Sequence, residues 1–443
     1  MVATGTSTYR RRSNAALFLV FCSWGGIAPH WIEGPRRFIP VILLTLFLCG
    51  YSLYIVLLRL WPKYRQPTIS NYDTISEEFL PSVDLIIAAR DEETVISQLI
   101  ERLNNLQYPS DRLKLWVVND GSEDHTPYLL YSLQKDFPKL QIIHRARTSG
   151  GGKSGALNTV FDRLRGEWFM VLDADAQLHF DVLKRLITFA INGDWSAVQL
   201  RKAVSNVTVN FLTRAQAMEM ALDATIQEGR LNIGGVVELR GNGQLLKRKA
   251  VEICGGFNEA TVTDDLDLTF RFLLANEPIG VLWDPPVQEE AVLTISALWR
   301  QRQRWAEGGL QRFFDYGEGL MSSRLSLLQK CDLTSFFLIQ YALPVFALVD
   351  LITALLTYTL PVYWPLLIVV LGLSGVTINY SCHQSSEGPP LPNPSLMNIS
   401  LGVIYLVHWF LVIPWVALRM AFWPKQFVWD KTLHYGGDSF ASE

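Results

Sequence analysis

Residues 168–177 read WFMVLDADAQ: an apolar run from Trp168 to Leu172 leads straight into Asp173, Ala174 and Asp175. A short unbroken apolar run suits a strand covered on both faces, as in a mostly parallel sheet. Two carboxylates at the end of such a strand suit a hard divalent cation, Mg²⁺ or Mn²⁺, whose shell a phosphate-bearing ligand completes. Turns and helix caps use the same pair, so the neighbouring segments decide between the readings.

Those neighbours repeat the pattern. VDLIIAA (Val83 to Ala89), LKLWVVND (Leu113 to Asp120) and LQIIHRA from Leu140 have the same character. Between the runs, Glu92 to Leu106, Thr126 to Asp136 and Ser154 to Leu164 space their apolar residues as helices do. Alternating strands and helices predict an α/β domain with a Rossmann-like, mostly parallel sheet. Ligands bind such sheets at the carboxyl ends of the strands. Acids stand at those ends: Asp91 and Glu92, Asp120, then Asp173 and Asp175.

Three further stretches carry chemistry. SGGGKSGALN (Ser149 to Asn158) fails as a Walker loop, because the required first glycine is Arg147. A basic glycine-rich turn that opens a helix can still hold a phosphate through its N–H groups, with Lys153 adding charge. VTDDLDLTFRF (Val262 to Phe272) crowds Asp264, Asp265 and Asp267 into four positions. Either Thr263 or Asp264 caps a helix there, with acids favoured in its first turn. A capping turn can also present a carboxylate to a pocket, and crowding raises the pKa of at least one acid. In QRQRW, Gln301, Arg304 and Trp305 share one helical face. Arg300, Arg302 and Arg304, with Leu298, Trp299, Phe313 and Phe314, also fit an interfacial helix that meets anionic headgroups.

The 443 residues are 49% hydrophobic and only 18% charged, below the roughly 25% of soluble domains. A net charge of −3 gives no sign of nucleic-acid binding. Five dispersed cysteines without CxxC spacing argue against a disulfide framework or structural zinc. Phe38 to Leu60 is long enough to cross a bilayer, and Ala15 to Trp31 is a weaker, glycine-broken span behind Arg10 to Arg12. Ser335 to Tyr358, Tyr363 to Tyr380 and Asn398 to Ala421 are three more, with Trp31, Trp61, Trp364, Trp423 and Trp429 near span edges.

The expected organisation is a transmembrane region over 1–61, a catalytic-type domain over 62–295 and an amphipathic segment over 296–333. A second transmembrane region covers 334–421 and a tail 422–443. Arg10 to Arg12, Lys63 and Arg65 predict an integral membrane protein with its N-terminus and domain in the cytoplasm. Three C-terminal spans would put the tail outside, whereas Arg419, Lys425 and Lys431 argue for inside. An interfacial or re-entrant segment would reconcile the two.

Taken together, the ordered motifs resemble family 2 glycosyltransferases of the GT-A fold over roughly residues 80–310. TDD stands here where that family usually has TED. The resemblance implies that Asp91, Glu92 and Asp120 bind the nucleoside, Lys153 its phosphates, and Asp173 and Asp175 the ribose and metal. It assigns Asp265 as catalytic base, and Gln301, Arg304 and Trp305 to the diphosphate and acceptor. The pattern is similar to the cyanobacterial branch that glucosylates diacylglycerol, which implies UDP-glucose, a diacylglycerol acceptor and contact with the lipid bilayer. The alternative is a processive polysaccharide synthase of the cellulose, chitin, hyaluronan or poly-N-acetylglucosamine type. Asp350, the one acid well inside a span, is then a pore candidate; a headgroup contact or a helix–helix polar contact is open equally.

Overall fold

Strand β1 (Val83–Ala89) buries all seven residues, because both of its faces are covered. Val83, Leu85, Ile87 and Ala89 join one core, and Ile86 and Ala88 join another on the opposite face. This is the alternation expected of a pleated strand between two helical layers. The structure is a computed structural model that describes residues 8–59, 75–384 and 386–423. Trp61, Lys63, Arg65, Lys425, Trp429, Lys431 and nearly all of the 422–443 tail lie outside the described residues.

The other strands are β2 (Leu113–Asp120), β3 (Leu140–Arg145), β4 (Trp168–Leu172), β5 (Ala197–Val204), β6 (Gln244–Lys247) and β7 (Ile279–Glu289). They form one sheet in the order β3-β2-β1-β4-β6-β5-β7. Short β6 runs antiparallel to both neighbours, and every other adjacent pair is parallel. The expected mostly parallel α/β sheet is thus present.

Two helices precede the sheet, α1 (Thr8–Ile27) and α2 (Ile39–Arg59). Within it come α3 (Ile96–Asn104), α4 (Thr126–Asp136), α5 (Gly152–Phe161), α6 (Val182–Asn192), α7 (Phe211–Asn232), α8 (Arg248–Ile253) and α9 (Asp264–Ala275). After it come α10 (Ile295–Leu320), α11 (Leu327–Phe337), α12 (Leu343–Thr357), α13 (Trp364–His383), α14 (Leu396–Leu406) and α15 (Trp409–Phe422). Helices α3, α4 and α6 cover one face of the sheet, and α5, α8 and α9 the other. The helix expected from Glu92 starts only at Ile96. Asp91 takes a left-handed φ of 55°, and the N–H of Glu92 donates to Thr126 Oγ1 instead of entering a helix.

Among the described residues, four helical segments are long and apolar enough to cross a membrane: Gly34–Tyr54, Leu327–Thr357, Trp364–His383 and Leu396–Phe422. Helix α1 is not among them, since its first turns carry Arg10 to Arg12; Arg11 makes a bidentate contact with Asp315 of α10. The last segment is broken between α14 and α15, and each half is shorter than the roughly 20 residues a crossing needs. Before it, Glu387 is held by Arg185, Arg201 and Asp284 of the sheet domain. At the break, Trp409 Nε1 donates to Glu219 of α7. Near its end Arg419 donates to Gln303 and Glu307 of α10, and Arg12 reaches the carbonyls of Ala421 and Phe422. Start, middle and end of this segment therefore all adjoin the sheet domain or α10.

Asp350 is fully buried and accepts hydrogen bonds from the N–H groups of Val362 and Tyr363, with His30 Nε2 at 2.7 Å. It closes the turn between α12 and α13 onto the end of the N-terminal helix. Of the readings open for it, the polar contact between helices is the one this geometry matches.

Candidate active site

Helix α9 begins at Asp264 because Thr263 is extended while the next residues turn. Thr263 is the N-cap by position, yet its Oγ1 is buried without a hydrogen-bond partner, as is Oδ2 of Asp264. Asp265 follows one position on. Its Oδ1 accepts from the N–H of Leu266 at 2.9 Å, and its Oδ2 lies beside Gly241. Gly241 has a φ of +83°, and a Cβ there would stand 3.1 Å from that oxygen. Glycine thus supplies both the backbone conformation and the space for the carboxylate.

Asp265 reaches a deep cavity of about 990 Å³. Desolvation at that depth, and then the Asp264 charge, push its pKa up to about 6, against the opposing pull of Lys153 and Lys202. Asp264 is raised too, again chiefly by burial. Burial works against the charge of Lys153, but Asp173, Asp264 and Asp265 outweigh it and hold the ammonium above its ordinary value. This part of the cavity wall is therefore an acidic cluster with Lys153 set into it and Lys202 nearby.

Asp173 and Asp175 follow β4 and face the same cavity. Lys153 Nζ donates to Asp173 Oδ1 at 2.6 Å, and Asp175 Oδ2 accepts from the N–H of Glu290. Among the described residues no group of three or more His, Cys, Asp or Glu side chains converges as a self-sufficient metal site. A pair of carboxylates on an open cavity fits Mg²⁺ or Mn²⁺, which keep coordination positions for water and substrate phosphates. Gly150 and Gly151 take positive φ before α5, and Gly152 does so as its first residue, so the glycine-rich turn delivers Lys153 to this wall.

The cavity also receives Glu92, Gln301, Arg304 and Trp305. Asp91 and Asp120 stand just outside it. Asp120 is buried and bonded by Arg145 at 2.5 Å, with Arg90 3.5 Å away. Burial raises its pKa, and Arg145, Arg90 and Arg147 pull it back. Asp91 accepts from the N–H of Glu123 and from Arg147. Eight of the ten residues singled out from the sequence thus line one cavity, and two form ion pairs at its edge.

Arg302 departs from expectation. Instead of meeting headgroups it is fully buried, pairs with Glu219 and donates to Tyr405 of α14 at 2.9 Å. Its guanidinium lies 4.0 Å from the centroid of the Trp305 ring, and Lys202 lies 5.8 Å from it. Lys202 in turn pairs with Glu289 at 2.7 Å. Cations this close to an indole attract its ring, so they orient Trp305 in the wall. Below, Glu238 is fully buried among Arg312, Arg240 and Arg230. Burial alone would raise its pKa, but the three arginines win and hold it at about 2. Arg302 was read from the sequence only as an interfacial cation, and Glu219, Lys202, Glu289 and Glu238 carried no sequence signal, since each is informative only once its distant partner is known.

The glycosyl transferase family 2 profile matches residues 84–254. A β-monoglucosyldiacylglycerol synthase of Synechocystis sp. is 44% identical over 359 residues, 80% of this chain and 75% of that protein. Its counterpart in Nostoc sp. is 39% identical over 430 residues, 96% of this chain and 90% of that one. A mannosyltransferase of Pyrobaculum calidifontis, solved with GDP-Man and Mn²⁺, matches with a TM-score of 0.59 and 20% identity over 87% of this chain and 98% of that one. At that identity the likeness is one of fold, and it is the GT-A fold expected from the motifs.

Proposed function

Since the chain belongs to glycosyl transferase family 2, we propose that this glycosyltransferase moves glucose from UDP-glucose to 1,2-diacylglycerol, with inversion, to give a β-glucosyl lipid. One observation carries the reading. The cavity that contains Asp265, Asp173, Asp175 and Trp305 continues to the apolar helices α12, α13 and α15, so a water-soluble donor and an oily acceptor can meet in it. Its volume is at the upper end of the roughly 300–1,000 Å³ usual for one ligand. The names of the two cyanobacterial relatives support the sugar and the lipid.

In this reading Asp265 accepts the proton of the acceptor hydroxyl as that oxygen attacks the anomeric carbon. Lys153 and Arg304 face the departing diphosphate, and Trp305 with Gln301 holds the acceptor. Asp173 and Asp175 would hold Mg²⁺ or Mn²⁺, which when bound supplies charge neutralisation for the leaving group. One base, with a stabilised leaving group on the opposite side, gives one in-line displacement, so an α-linked donor yields a β-product.

Helix α1 falls short of the others in apolar length but is read as a crossing beside α2, α11–α12 and α13, because the residues after it reach Asp350 at the α12–α13 turn through His30; the broken α14–α15 pair is read as re-entrant. That even number puts the start of α1 and the end of α15 on the side of the catalytic domain, which the arginines in the first turns of α1 assign to the cytoplasm.

The base must be ionised to work. Because its pKa is raised to about 6, kcat/KM is expected to fall as pH drops through about 6. Asp264→Asn removes the neighbouring negative charge, so the acidic limb should move to lower pH, while burial keeps it above the ordinary carboxylate value. A limb that stays in place would count against this electrostatic coupling.

The activity itself is tested with detergent-solubilised protein, labelled UDP-glucose, Mg²⁺ and diacylglycerol, separated by thin-layer chromatography beside an EDTA control. One metal-dependent glycolipid spot is expected. Label held at the origin as polymer would instead identify a processive polysaccharide synthase.

A further inference from the structure

The cavity does not end where the reaction needs it to end. Beyond Asp265 and Trp305 it runs past Gln303, Glu307 and Arg419 and continues between membrane helices. Its far wall is made by Val370, Leu371 and Ser374 of α13, and by Leu406, Trp409 and Phe410 at the junction of α14 and α15. Five of these six side chains are apolar or aromatic. The junction is fixed: Trp409 is tied to Glu219, and Arg302 binds both Glu219 and Tyr405. The helix break at residues 407–408 therefore stands as a shaped wall.

The charges along the way point to one kind of occupant. Lys202 is paired with Glu289, Arg230 with Asp332, Arg240 with Asp223 and Arg419 with Glu307. Each of these four cations thus already has a carboxylate partner. Gln303 and Glu307 line the cavity beside Arg419, which binds both. An amide and a carboxylate match glycerol oxygens and a free hydroxyl, not a phosphodiester.

We propose that this membrane end of the cavity seats an acyl chain of an uncharged diacyl lipid acceptor, with Gln303, Glu307 and Arg419 ordering its glycerol portion. This rests on the lipid-transfer reading above and extends it to the place where the acceptor's acyl chain sits and to the residues that limit its length. Leu371 and Ser374, three positions apart on α13, share a helical face and together set how much chain fits.

The test compares full-length wild type with Leu371→Trp, Ser374→Trp and Leu371→Ala in one detergent. Each is assayed with UDP-glucose and either dioctanoylglycerol or dioleoylglycerol. A filled seat should lower kcat/KM for the long-chain acceptor by roughly tenfold or more, the scale at which apolar pockets discriminate size. The short-chain acceptor should change less than about threefold, and the KM for UDP-glucose should stay as in wild type. Leu371→Ala should shift preference towards the longer chain. Two independent tryptophan variants are used so that a folding failure in one leaves the other to decide. Equal losses with both acceptors, or no change with either, would overturn the acyl seat while leaving lipid transfer intact. If wild type glucosylates neither diacylglycerol, the lipid-transfer reading itself fails, and the seat falls with it.

Discussion

Asp265→Asn is expected to cut turnover roughly a hundred- to ten-thousand-fold, the usual contribution of a positioned general base, while UDP binding persists. The substitution is well suited to the question. Asparagine keeps an oxygen that can accept the N–H of Leu266, so the start of α9 survives. It also relieves repulsion with Asp264, which the structure places in the next position with an unpartnered oxygen. What it removes is proton affinity. Calorimetric UDP affinity near wild type alongside lost turnover would isolate the chemical step. A near-native rate would instead shift the base role to another acid, with Asp264 the first to examine.

Asp175→Asn should have the second largest effect, on donor binding. Asp175 serves two purposes, accepting the N–H of Glu290 and presenting charge to the cavity. Alanine would remove both, and asparagine only the charge, so the asparagine variant reads the metal role more cleanly. Truncating a charge in a desolvated polar contact costs about 2–5 kcal/mol. At 1.4 kcal/mol per decade that is at least roughly thirtyfold in UDP-glucose affinity with metal present. Affinity measured in EDTA should be similar in variant and wild type. A metal-dependent affinity that survives the change would remove Asp175 from the metal site.

The strands that hold these acids were legible because burial on both faces leaves an uninterrupted apolar run, as in Val83 to Ala89 and Leu113 to Asp120. The turn acids at their ends were legible for the same reason: polarity begins abruptly where the strand stops. By contrast β6 is four residues long and includes Gln244, whose side chain is buried against the pattern. Helix α7 buries residues around much of its surface, Gln216, Gln227 and Arg230 among them, so it has no single apolar stripe. Buried ions were the hardest to foresee. Arg302 reads as an interfacial cation until Glu219, 83 positions away, is found beside it. Arg145 likewise looks like a solvated strand-end residue until it closes on Asp120 and the Gly150 carbonyl. Asp350 reads equally as a pore, headgroup or helix–helix acid until the turn at Val362 and Tyr363 is seen to fold over it.

The central claim is a single displacement in which Asp265 activates the acceptor and the diphosphate leaves from the opposite face. The most direct measurement is proton NMR of the glycolipid made from UDP-glucose and diacylglycerol, whose glycosidic anomeric configuration is fixed once formed. The account predicts only the β-anomer. An α-linked glucosyl lipid would contradict the single displacement and, with it, the role of Asp265 as base.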